Sequence, residues 1–168
     1  MKIQHQAALP ILLAASFSFA TSLPTTADSL VMHRIPAALA AEAVIEAVAA
    51  CARGGYHETA VVVDANGARQ AELRGDGAGI HTLDSANDKA YTSASFKADT
   101  SVLADLAKRE PSITALTKLA HVMFFGGGVV IKIGDEVVGA IGASGAPGAN
   151  LDENCARAGL AKIRDRLQ

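Results

Sequence analysis

One stretch constrains this chain more than any other: Phe124 to Ala146, FFGGGVVIKIGDEVVGAIGASGA. Two runs rich in β-branched residues, Val129–Ile133 and Val137–Ile141, flank Gly134-Asp135-Glu136, and that pattern predicts a hairpin. Strict alternation fails, because Val129, Val130 and Ile131 are all apolar, as are Val137 and Val138. Both faces are therefore expected to be covered, with the hairpin inside a packed layer. Glycines crowd its ends, Gly126-Gly127-Gly128 on one side and Gly139, Gly142 and Gly145 on the other. Glycine in or beside a strand marks either a bulge or a close approach by a backbone, a ligand or a subunit. Both readings stay open at this point.

The elements around the hairpin follow from periodicity and breakers. Pro36 opens a helix over 36–53, with Leu39, Ala43, Val44, Val48 and Cys51 on one face and Glu42 and Glu46 on the other. Gly54-Gly55 stops it. Thr59–Val63 and Arg69–Leu73 form a second strand pair about the turn Asp64-Ala65-Asn66-Gly67. After the loop Arg74–Gly79 a helix runs from about Leu83 to Lys97, capped by Thr82 or Asp84 and carrying the small-residue strip Ala86, Ala90, Ala94. Thr100 is expected to cap a helix over 101–109 that ends before Pro111, with a further helical turn or two over 112–119. A last helix spans 152–167, with Asn150 as its cap. Hairpins with helices grouped around them predict a single α+β domain, not a doubly wound sheet. A profilin-like antiparallel sheet with flanking helices satisfies the order.

Residues 1–27 have the layout of a secretory signal peptide. Lys2 gives the positive start and Ala7–Ala20 the apolar stretch. Thr25-Thr26-Ala27 before Asp28, or Ser18-Phe19-Ala20 before Thr21, offers the small residues for cleavage, the first preferred because Pro24 breaks the apolar helix just upstream. The folded domain is then 28–168 and the protein periplasmic or secreted. Two cysteines in an exported chain, Cys51 and Cys155, leave two readings, one disulfide or two buried thiols. A net charge of −2 without a basic stripe argues against nucleic acid as a partner. Past the leader no apolar run is long enough to cross a bilayer.

Several segments together resemble the GlcG/HbpS-like haem-binding family. They include Val61-Val62-Val63-Asp64-Ala65-Asn66-Gly67, Arg74-Gly75-Asp76-Gly77-Ala78 and Ser85-Ala86-Asn87-Asp88-Lys89-Ala90-Tyr91-Thr92-Ser93. Gly126-Gly127-Gly128-Val129, Val138 through Ala146, and Asp152-Glu153 with Ala156 and Ala158-Gly159 complete the match over residues 34–164. The resemblance implies a profilin-like fold, a homo-oligomer, and non-covalent haem binding for storage, sensing or protection. An enzyme acting on haem or a small organic acid is the alternative. Two departures stand out: Gly128-Val129 replaces a frequent Gly-Pro, and the acidic E-E-x-x-E iron cluster of some relatives does not occur.

Arg74, Asp76 and Lys89 are the polar residues expected to meet a ligand. Arg74 offers a carboxylate, such as a haem propionate, a bidentate fork, and Lys89 offers a point charge, with Asp76 orienting one of them. Thr92 and Phe96 lie three and seven residues beyond Lys89 on a similar helix face and are expected to line the same pocket. Thr92 also resembles the weak oxygen ligand of the family. Histidine is the usual haem-iron ligand; His33, on the lead-in, and His81, at the start of a helix, are the candidates. Ser144 in G-A-S-G-A lacks the strand-to-helix context of a hydrolase elbow, since a proline-glycine loop follows it.

Overall fold

The computed structural model describes residues 31–167. The expected leader and its cleavage site lie outside them. The elements run α1 (Ala37–Arg53), β1 (Thr59–Asp64), β2 (Arg69–Arg74), α2 (His81–Phe96), α3 (Thr100–Arg109), a 3-10 segment (Pro111–Lys118), β3 (Gly128–Ile133), β4 (Glu136–Ser144) and α4 (Ala149–Ile163), closed by a 3-10 turn at Arg164–Arg166. The four strands form one antiparallel sheet in the order β2-β1-β4-β3. This is the α+β arrangement with flanking helices that the order of elements predicts.

The two predicted hairpins join through their inner strands, β1 and β4, in register from Thr59 opposite Ser144 to Asp64 opposite Gly139. Central β4 is covered on both faces, which explains its unbroken apolar run. On one face α1 and α4 pack Leu39, Val44 and Ile163 against Val62, Val129, Ile131 and Ile141. On the other, α2 lays Ala86, Ala90 and Ala94 over Val61, Val63 and Ala140.

Gly142 and Gly128 show what the hairpin glycines do. A methyl group at Gly142 would overlap the Ala86 carbonyl and the Ala90 amide, and one at Gly128 would overlap the Lys89 carbonyl. The backbone of α2 therefore rests directly on β4 and β3, so the close approach at these positions is that of another segment of the chain.

Helix ends differ from the sequence expectation where side chains have other work. Thr100 is the first residue of α3, not its cap; its buried hydroxyl accepts the Gly128 N–H at 2.8 Å. Likewise α4 starts at Ala149, so Asn150 lies inside it, and Asp152 turns back to accept the N–H groups of Gly145 (3.1 Å) and Ala146 (2.8 Å). Cys51 of α1 and Cys155 of α4 form a disulfide across 104 residues. In the chain-entropy picture a loop of that length contributes on the order of 4–5 kcal/mol. Among the described residues no helix is long and apolar enough to cross a membrane.

Candidate functional site

The stripe Lys89, Thr92, Phe96 on α2 organises one end of the sheet. Lys89 is 1% exposed; its ammonium donates to Asp152 Oδ2 at 2.6 Å and to the Ala143 carbonyl at 3.0 Å. It also lies 5.1 Å from the centre of the Phe125 ring, within cation–π range. Thr92 donates its hydroxyl to the His121 carbonyl at 3.2 Å and accepts the Met123 N–H at 2.8 Å. Phe96 meets Phe124 edge to face, with centroids 5.3 Å apart. All three side chains thus hold the segment 121–125 that leads into β3.

That segment forms one wall of a groove of about 700 Å³. Phe124 and the exposed Phe125 supply aromatic surface, Ala104 and Lys108 of α3 stand among the residues opposite, and Asn150 and Glu153 of α4 complete the lining. Glu153 Oε1 accepts from Arg157 at 2.6 Å, and Arg157 also binds Asp99 at 2.7 Å. Asp99 in turn accepts the Val130 N–H at 2.9 Å, so α3, α4 and the edge strand β3 are tied together behind the groove. Glu153 Oε2 is buried beneath Gly126 with no hydrogen-bond partner.

A second polar group lies deeper. Glu58, just before β1, is fully buried, with its carboxyl against Cys51 Sγ and Oε1 unpartnered. Burial, reinforced by the negative charge of Asp152 and opposed by Lys89, pushes its pKa up to about 9. Glu58 is consequently a neutral acid at pH 7.

The other expected site residues lie elsewhere. Arg74 is exposed, and its Nε donates to the Ala78 carbonyl at 2.7 Å, closing the glycine loop on itself. Asp76 is exposed too, and its backbone carbonyl lies 2.6 Å from His57 Nδ1. Neither Arg74 nor Lys89 lines the groove, and the carboxylate that Lys89 meets is the chain's own Asp152. His33 sits at the far end of the sheet, where its Nδ1 is 2.6 Å from Glu136; that hydrogen bond holds the Glu136 carboxyl below its usual range. His81 is exposed at the start of α2. The two histidines are not brought together.

The groove-lining Phe125, Lys108 and Glu153, and the buried Glu58, are functional candidates that sequence reasoning passed over. Phe124-Phe125 did carry a signal: paired aromatics beside three glycines, in a chain with only 4% aromatic residues. A lone Glu before a strand carries none.

The family model of HbpS-like haem degrading proteins matches residues 35–161. In three dimensions the chain is similar to a double mutant of Streptomyces reticuli HbpS, at 36% identity and a TM-score of 0.72, covering 88% of this chain and 97% of that one. Klebsiella pneumoniae protein ORFY shares the fold at 23% identity and a TM-score of 0.75, covering 84% and 97%. So does PduOC, solved as a haem complex, at 24% identity and 0.65, covering 73% and 89%. Curated proteins give no significant match.

Proposed function

The chain belongs to the HbpS-like haem degrading protein family, and on that premise we propose that it is an exported, oligomeric protein that binds haem non-covalently for storage, sensing or protection. The groove carries this reading. Its volume lies within the range of small-molecule sites, of order 300–1,000 Å³, and one wall carries the aromatic rings of Phe124 and Phe125. Lys108, held to Asp105 at 2.8 Å by an exposed and therefore weak ion pair, is the cation among the described lining residues that a propionate could recruit. None of the described lining residues is His, Cys, Met or Tyr, so apart from the Lys108 amine the groove itself offers the iron oxygen donors. Haem, when bound, supplies a Lewis-acidic iron and two carboxylates. The chain supplies apolar walls, a rim ammonium, and through Lys89, Thr92 and Phe96 a fixed position for the Phe124–Phe125 wall.

Export is supported by the leader and by the Cys51–Cys155 disulfide, a bond that persists in oxidising compartments. Assembly is supported by Val102 and Leu106 on α3, Leu116 in the 3-10 segment and Leu119 just after it, all apolar and exposed. In an assembly His33 of one copy is the candidate to reach the iron held by another.

The test is a haem titration of the mature protein. A shifted Soret band saturating at one haem per chain is expected, and its absence overturns the reading. Phe125→Ala is expected to weaken binding by about tenfold or more, from lost aromatic contact worth about 1.5–3 kcal/mol. Arg74→Ala is expected to leave affinity unchanged; a loss there moves the ligand to the glycine loop and to the Arg74, Asp76 and His81 neighbourhood. The family's description favours a second reading, turnover of haem. Loss of the Soret band under a reductant and oxygen, with release of an open tetrapyrrole, distinguishes it from binding alone.

A further inference from the structure

We propose that, when the Cys51–Cys155 disulfide is reduced, the two sulfurs and the Glu58 carboxylate form a three-ligand site for a thiophilic divalent cation such as zinc. The two sulfurs and a carboxylate oxygen already lie within 4.8 Å of one another, and all three residues are buried. They come from three places, α1, the residue before β1, and α4, so the site is fixed by the tertiary fold. Zinc takes thiolate at about 2.3 Å and carboxylate at about 2.0–2.2 Å. Ligands around such an ion stand roughly 3.5–4 Å apart, so the bonded sulfurs and the carboxylate packed on Cys51 must move apart once the disulfide is broken, within a cluster no wider than 4.8 Å.

The second observation is independent of the cysteines. Glu58 Oε1 is wholly enclosed and has no hydrogen-bond partner. Native structures rarely leave a buried carboxyl oxygen unpaired, and a bound ion is one of the recognised explanations. A dication beside Glu58 supplies the missing partner, since the Lys89 ammonium is committed to Asp152 and the Ala143 carbonyl. Two thiolates select zinc or cadmium over magnesium or calcium. Three protein ligands leave a fourth position open.

The chemistry balances with an external dithiol. The dithiol gives two electrons to the S–S bond, which breaks, and itself becomes a disulfide. Its two protons, together with the proton of Glu58, go to solvent as the cation takes both thiolates and the carboxylate. The same cysteines therefore hold either a covalent bond or a metal, never both. This site is separate from the groove and does not depend on haem binding there.

The experiment compares the purified chain with its disulfide intact and after reduction by a phosphine, each titrated with zinc against a chromophoric chelator and with cobalt for thiolate charge-transfer absorption. One equivalent is expected to bind the reduced chain only. Glu58→Gln, which keeps the shape of the neutral acid, is expected to lose at least about tenfold in zinc affinity. Equal binding to the oxidised chain, no binding to the reduced one, or unchanged affinity in Glu58→Gln overturns the proposal. Far-ultraviolet circular dichroism follows the fold throughout. A reduced chain that unfolds and regains structure with one equivalent of zinc supports the site, and one that stays unfolded with zinc overturns it.

Discussion

On the α1/α4 face the sheet offers Val62, Val129, Ile131 and Ile141 to large side chains, whereas on the α2 face it offers Val61, Val63, Ala140 and Gly142 to alanines. The first face is held by apolar volume. The second is held by proximity, with helix backbone nearly on strand backbone, and it also buries Lys89, Thr92 and Thr100. Each polar group there is matched: Lys89 to Asp152 and Ala143, Thr92 to His121 and Met123, Thr100 to Gly128. Volume tolerates small losses, but proximity tolerates no gain and polar pairing no orphan. The groove lies where the second kind of packing meets α4.

The contrast breaks most sharply at the buried ion pair. Lys89→Met leaves Asp152 with only its two N–H donors and is expected to cost about 3–5 kcal/mol in urea unfolding, while adding Asp152→Leu recovers part of it. A single-variant loss below about 1 kcal/mol would sink the idea that this pair is essential. Next come opposite changes on the two faces. Ile141→Ala is expected to cost about 2–5 kcal/mol by opening a cavity, and Gly142→Val about 1–3 kcal/mol or more by forcing α2 away. Chemical-shift changes in Gly142→Val should concentrate in α2; if they centre on α1, the comparison is wrong. Thr92→Val is expected to cost about 1 kcal/mol and to loosen the 121–125 segment, seen as faster exchange of the Met123 amide. The finest effect is a slope. Between pH 4.5 and about 9 the folded chain keeps a Glu58 proton that the unfolded chain has released, so stability falls as pH rises through that window. Glu58→Gln removes this contribution, and unfolding at pH 5, 7 and 8.5 should show a flatter profile than the parent.

Most of the architecture was legible because it rests on local rules. Gly134-Asp135 marked the β3–β4 turn, Asn66-Gly67 the β1–β2 turn, and Pro36 and Gly54 bracketed α1 to within a residue. The starts of α3 and α4 were less legible: Thr100, the expected cap of α3, spends its hydroxyl on the Gly128 backbone, and α4 begins at Ala149, ahead of its expected cap Asn150. Of the expected ligand residues, Lys89, Thr92 and Phe96 do cluster, as their helical spacing implies, though behind the groove wall. Arg74 and Asp76 do not join them, because nothing in a glycine loop's sequence says whether it folds onto its own carbonyls. Phe125 and Glu153 line one groove only because α3, α4 and the glycine segment converge, and that is tertiary information.

The covalent link between Cys51 and Cys155 also turns most of the domain into a closed loop. A protease that nicks the 3-10 segment beside the groove would leave both fragments fastened together. Damage to the lip of the site would then go unseen on a gel until a reducing agent is added.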